Sequence, residues 1–328
     1  GKRVVVIGSG ATAITLVPSM AKTAEHVTML QRSPTYVATA PAEDAVANWL
    51  REHLPGELAY ALTRVKNIGF GIVMYAYCRR FPDQAKEYIV KMAREALGPD
   101  YDVEKHFTPT YAPWDQRVCL APDGDFFDAL RSGRASVATD RIERITRDGV
   151  QLQSGELLPA DVIVSATGLE MQFLSDLALR VDGVPVKPAD TVTYKGMMIS
   201  GVPNLALAIG YTNASWTLKC DLTAAYVCRL LNHMEAHGLT TACPELDLSD
   251  VERVPFIDFT SGYVQRALDK LPKQGSKAPW KLYQNYVLDL LTLRHGRLED
   301  GAMRFSGSPS PAAPRKLYLV GKRPLRNP

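Results

Sequence analysis

The sequence predicts an α/β fold organised on a parallel sheet, and three observations predict it. Lys2–Gly8 (KRVVVIG) is a short β-branched run that stops at a glycine, the pattern of a strand buried on both faces. Ala11 to about Ala24 then reads as a helix, with Pro18 inside it predicting a kink or an opened turn. His26–Gln31 (HVTMLQ) is a second buried run, so a strand–helix–strand unit closes within about 32 residues.

The rest of the chain extends this reading. Residues 39–107 change character: they are rich in Ala, Leu, aromatics and charge, with helical spacing in Ala45–His53 and Asp83–Leu97 and no strand alternation. They read as a helical insertion. From Ala135 the β pattern returns in Ser136–Ala138, Ile142–Arg147, Gly149–Leu152 and Asp161–Ser165, with Arg147-Asp148-Gly149 and Ser154-Gly155 as turns. Leu205–Ile209 reads as a further buried strand. Asp221–His237 reads as a helix with Leu222, Ala225, Tyr226 and Leu230 on one face and Asp221 as its cap. Residues 306–328 carry five prolines and read as a loose basic tail.

Length and composition exclude several classes. The chain has 328 residues, 46% hydrophobic and 22% charged, which suits about two globular domains and excludes disorder, collagen and coiled coil. Lys plus Arg number 38 against 35 Asp plus Glu. Five of those cations and no acid fall in 306–328, so the body is near neutral and no nucleic-acid surface is expected. Cys78, Cys119, Cys220, Cys228 and Cys243 form no CxxC pair, which suits reduced thiols in a cytoplasmic protein. The uncharged run Gly196–Leu218 is 23 residues long but broken by Gly201, Pro203, Asn204, Gly210 and Asn213, so it does not read as a membrane span. The shorter run Asn67–Cys78, ending before Arg79-Arg80, could form a greasy helix face: packing on the parent domain is the plainer reading, a weak peripheral membrane contact the sharper one. His233 and His237, i and i+4 on a helix, have no third ligand by spacing, and no metal site is expected.

Gly8-Ser9-Gly10-Ala11-Thr12-Ala13 fits G-x-G-x-x-A between the first strand and the first helix, the arrangement of a Rossmann-type dinucleotide site. Gly8 permits the tight turn, Gly10 lets the backbone approach a pyrophosphate, and Ala13 lets the helix lie close to the strand. The pyrophosphate then rests on free N–H groups and the positive end of the helix dipole. At the end of the second strand an NAD site needs a carboxylate for the ribose 2′-hydroxyl. This chain has Gln31-Arg32-Ser33-Pro34 there, and a cation with a hydroxyl matches a 2′-phosphate. NADPH is therefore expected, read by Arg32 and Ser33.

Three stretches carry a family resemblance: the GSGATA turn with Gln-Arg-Ser-Pro after it, Asp161–Gly168 (DVIVSATG), and Gly201-Val-Pro-Asn204 leading to Gly210–Trp216 (GYTNASW). Phe107–Leu120 (FTPTYAPWDQRVCL) and Gly296–Ser306 point the same way. The chain resembles the class B flavoprotein monooxygenases, the flavin-containing and Baeyer–Villiger enzymes, and within them the ethionamide-activating group. The resemblance implies an NADP-binding domain of 1–38 and 108–165, a helical insertion at 39–107, and the C-terminal part of an FAD-binding domain at 166–305. It implies FAD and NADPH as cofactors. It further implies oxygen transfer from O2, through a C4a-(hydro)peroxyflavin, into a small hydrophobic ketone or onto an organosulfur or nitrogen centre. Arg117 falls where Baeyer–Villiger enzymes keep an active-site arginine, and Gln116 stands where relatives place a lysine near the 2′-phosphate. Ala166, Thr167, Gly168, Gly210 and Asn213 would lie near the cofactors. The family's first GxGxxG and its FxGxxxHxxxW fingerprint would precede Gly1, so the chain is expected to be an N-terminally truncated and by itself inactive piece. Two other readings stay open: a pyridine nucleotide-disulfide oxidoreductase relative, and a nucleotide-binding fragment without activity. A homo-oligomer is compatible with every one of these.

Overall fold

The computed structural model describes residues 1–175, 177–247 and 251–307. Its centre is a four-stranded parallel sheet in the order β5-β2-β1-β9, made of Ala135–Thr139 (β5), His26–Gln31 (β2), Arg3–Ile7 (β1) and Val162–Ser165 (β9). Strand alternation sorts the side chains into two layers. Val4, Val6, Val27 and Met29 point to a helical layer of α1 (Ala11–Met20), α4 (Pro82–Leu97), α5 (Val103–Phe107) and α6 (Asp125–Arg131). Phe107, Phe126 and Phe127 meet there edge to face, with centroids 5.6–6.1 Å apart. Val5 and Leu30 point the other way, against Val150, Leu152 and Leu158 of an antiparallel meander, Ile142–Ile145 (β6), Gly149–Leu152 (β7) and Leu157–Pro159 (β8). Each central strand is thus covered on both faces, which is why β1 reads as a continuous β-branched run.

Residues 39–107 are mainly helical, as expected: α2 (Ala45–His53), α3 (Gly56–Arg80), α4 and α5. The reasons are local. Asp44 caps α2 by accepting from the Ala47 N–H at 3.0 Å, Pro82 opens α4, and Asp102 caps α5 by accepting from Lys105. One short strand intrudes, since Val37–Ala40 (β3) pairs in parallel with Cys119–Pro122 (β4).

A second core lies beyond β9. It is organised on α7 (Trp216–Ala236), whose buried stripe runs Lys219, Leu222, Thr223, Tyr226, Leu230 and Met234, packed with Tyr194, Met198, Trp280, Leu293 and Met303. Thr241–Pro244 and Met303–Ser306 close this region as an antiparallel pair.

Several expectations are corrected. α1 ends at Met20, two residues past Pro18, and turn-type bonds replace the ladder from Lys22 to Ala24. Leu205–Ile209 is extended but is not a strand: no neighbouring strand among the described residues supplies a ladder, and only the Leu207 N–H finds an early partner, the Met197 carbonyl. α7 begins at Trp216 after Ser215, so Asp221 is not a cap but a second-turn residue paired with Arg64 at 3.3 Å. Ser306 belongs to the closing strand rather than to a tail, while residues 308–328 lie outside the described residues. Among the described residues no helix is long and apolar enough to cross a membrane.

Candidate functional site

Because β1, β2 and β9 are parallel, their carboxyl ends open on one edge, and the predicted nucleotide residues collect there: Gly8–Ala13 after β1, Arg32 and Ser33 after β2, Ala166–Gly168 after β9. Gly8 has φ +127°, and a Cβ on it would lie 2.3 Å from the Ala166 carbonyl oxygen, so the bend and the ATG turn touch backbone to backbone. Gly10 is the residue that precedes α1, and nothing lies within 4 Å of where its Cβ would be. The open cradle is the space a pyrophosphate needs. The first turn of α1 carries no acidic residue and no side-chain cap, while Gly10, Ala11 and Thr12 are exposed and Ala13 is fully buried.

Arg32 is exposed and makes no ion pair or hydrogen bond among the described residues. The preceding Gln31 is anchored instead, its amide donating at 2.8 Å to both the His106 carbonyl and Thr139 Oγ1. The strand end is therefore fixed and its last cation is left free. Ser33 is exposed beside it.

Arg117 is carried by a loop pinned at three points. Asp115 takes Arg79 of α3 at 2.8 Å, its carbonyl accepts from Thr260 N–H at 2.9 Å, and the Cys119 N–H donates to Tyr36 at 2.9 Å. Cys119 Sγ reaches to 4.0 Å from the Ser9 carbonyl, which brings the loop against the glycine bend. Burial pushes that thiol up to about 11, so it is a packed neutral group rather than a nucleophile. Arg117 itself has no ion pair or hydrogen bond among the described residues. Gln116 bridges back to Pro113.

The exposed side of this loop faces a cavity of about 580 Å³, lined by Arg117, Met171, Phe173, Trp216, Phe256, Phe259 and Tyr263 among others. Gly168 abuts it, since its Cβ would lie 3.4 Å from Tyr263. Gly210 lines it, and a side chain there would collide with Trp216 at 2.2 Å. Asn213 follows Thr212 of the wall: its amide donates to the Gln284 carbonyl at 2.9 Å, and its Oδ1 is buried without a partner among the described residues.

The structure also brings in residues that the sequence did not announce. Lys219 and Asp289 form an ion pair at 2.8 Å in the cavity wall, with side chains only 6% and 8% exposed. Tyr211 donates to the same Asp289 oxygen at 2.7 Å. Burial lowers the Lys219 pKa and the neighbouring carboxylate pulls part of it back, while burial and that same carboxylate raise Tyr211. Lys219 ends a long uncharged run and Asp289 stands 70 residues later, so no spacing rule links them. His233, by contrast, lies 3.2 Å from Glu299 and away from this site, and no group of three or more His, Cys, Asp or Glu that could hold a metal occurs among the described residues.

No protein-family model matches the chain. The FAD-containing monooxygenase EthA of Mycobacterium tuberculosis is 50% identical over 311 residues, 94% of this chain and 64% of that protein. The probable FAD-binding monooxygenase AlmA of Acinetobacter baylyi is 50% identical over 307 residues, 93% of this chain and 61% of that one. Over nearly its whole length the chain is similar to curated FAD-containing monooxygenases. It spans rather less than two thirds of the length of these curated relatives. Among solved structures, OTEMO in complex with FAD and NADP superposes with a TM-score of 0.63 over 93% of this chain and 67% of that one, at 17% identity. That likeness shows a common fold.

Proposed function

We propose that the protein acts as an NADPH- and FAD-dependent monooxygenase that places one atom of O2 into a small hydrophobic ketone or onto a sulfur or nitrogen centre. One observation carries the reading: a guanidinium without a partner among the described residues, Arg117, stands on the wall of an aromatic cavity beside the glycine bend. The names of the relatives and the FAD and NADP bound to the solved neighbour support it.

The residues divide the work. Gly8–Ala13 hold the pyrophosphate of NADPH against backbone N–H groups, and Arg32 with Ser33 takes the 2′-phosphate, with Gln116 nearby. Ala166, Thr167, Gly168, Gly210 and Asn213 border the flavin side. Bound FAD supplies the activation of oxygen. Arg117 is charged at every working pH and offsets negative charge that develops on the oxygen being transferred. The aromatic wall excludes water, which strengthens that interaction. On this reading 1–38 with 108–165 form the NADP-binding unit, 39–107 its helical insertion, and 166–305 the flavin-side unit.

The test is oxygen uptake by the chain in a full-length, flavin-loaded form, with NADPH and either an aryl ketone or an aryl sulfide. Uptake matched by an oxygenated product is expected, and NADH should serve poorly. NADPH oxidation that yields only hydrogen peroxide contradicts the reading. The cellular setting belongs to the same proposal. α3 exposes Leu62, Val65, Phe70, Val73 and Tyr77 next to Arg79 and Arg80, a surface that suits a cytoplasmic protein resting on an anionic membrane. Co-sedimentation with anionic vesicles, lost in Phe70→Glu, is expected. Assembly into a dimer through the same face is the contrary outcome.

A further inference from the structure

Lys219 occupies a costly position. It is the fourth residue of α7, near the positive end of the helix dipole, and it lies on the buried stripe between aromatic and aliphatic neighbours. A leucine there would pack and pay no desolvation, and replacing a buried ion pair by apolar residues is commonly neutral or stabilising. Packing therefore does not account for the charge. The ammonium also has donors to spare. Of its three N–H groups one reaches Asp289 Oδ2 at 2.8 Å, and no second acceptor engages the others among the described residues. Gly196 lies beside it: a Cβ there would sit 3.8 Å from Nζ, in ordinary contact, and would strike Leu282 at 2.5 Å. Lys219, Asp289 and Gly196 all line the cavity, whose walls are otherwise mostly apolar. Tyr211 completes the support by holding the shared carboxylate oxygen from the other side.

We propose that Lys219, fixed by Asp289 and Tyr211, is the hydrogen-bond donor that seats a carbonyl-type acceptor of an otherwise apolar ligand in this cavity. The inference rests on the cavity being a ligand site, as in the reading above. Two sources carry such an acceptor: a ketone substrate and the pyrimidine edge of a flavin. Lys219 is distinct from Arg117 in kind, since it is buried and tethered where Arg117 is exposed and has no partner among the described residues.

Calorimetric titration of the protein with 4-phenylbutan-2-one, with butylbenzene and with FAD tests this. The ketone and the hydrocarbon differ mainly in the carbonyl. Wild type should bind at least one carbonyl ligand, and Lys219→Met should weaken it on the order of 10-fold or more while leaving butylbenzene unchanged. Lys219→Arg, which keeps the cation, should restore part of the loss. A loss confined to the ketone assigns the acceptor to substrate, and one confined to FAD assigns it to the flavin. If Lys219→Met does not fold, Lys219→Met with Asp289→Leu removes both charges and is expected to melt no lower than wild type, so the same titrations can be run on it. Unchanged affinity for both carbonyl ligands in a folded variant overturns the role of Lys219 alone. Wild type that binds none of the three overturns the ligand site itself.

Discussion

Gly8 and Gly10 stand two residues apart in one motif and answer to different constraints. Gly8 is held by the fold: its φ is +127° and a Cβ would strike the Ala166 carbonyl. Gly8→Ala is expected to cost about 1–3 kcal/mol or more, read as a lowered denaturation midpoint. Gly10 meets nothing within 4 Å, so Gly10→Ala should leave the midpoint within about 0.5 kcal/mol of wild type and weaken NADPH. Equal destabilisation by both would mean that the cradle is packing rather than a nucleotide seat. Arg32 makes the cofactor argument separately. Arg32→Ala removes an exposed cation with no partner among the described residues, so stability should hold while NADPH binding falls about 10–100-fold and NADH binding changes little. Equal losses for the two coenzymes in a titration would remove the 2′-phosphate from the explanation.

Among strands and helices, the pairing of β1 with β9 shows how a local charge fixes a remote register. Asp161 accepts from the Arg3 backbone N–H at 2.8 Å and takes the Arg3 guanidinium at 2.8 Å, just ahead of the Val4–Val162 pair. The Arg3 side chain, then its backbone N–H, holds the Asp161 carboxyl well below the usual carboxylate range. A depressed pKa contributes stability that is present above the unfolded value near pH 4 and lost as pH falls further. Asp161→Asn should therefore melt below wild type at pH 7, with the gap narrowing progressively as pH falls from about 4 toward 2; a gap that stays constant from pH 5 to pH 2 would point to packing. The sequence makes this sheet legible because each strand is short, β-branched and closed by a glycine or a turn. It misleads at Leu205–Ile209, which has strand composition but finds no ladder partner among the described residues. It also places the start of α7 late, since Trp216–Cys220 carries neither an acidic first turn nor a capping bond to mark it.

Across the protein, the glycine edge, the Arg117 loop and the cavity form one continuous region assembled from both cores. The nucleotide half of it was readable, because a single contiguous motif encodes the bend and Arg32 follows the next strand. The cavity half was not. Its aromatic wall comes from 171–173, 216 and 256–263, and its ion pair joins α7 to residue 289, contacts that only the fold brings together. Arg117 is legible in the sequence through family likeness, and the structure adds that it lines the cavity and has no partner among the described residues. The oxygen-transfer role can be read in one rapid-mixing run. The full-length, flavin-loaded Arg117→Ala enzyme is mixed with NADPH and an aryl ketone, and flavin bleaching and product are followed together. Bleaching near the wild-type rate, with oxygenated product down on the order of 10²–10³-fold, is predicted. Undiminished product from that variant would contradict the assignment.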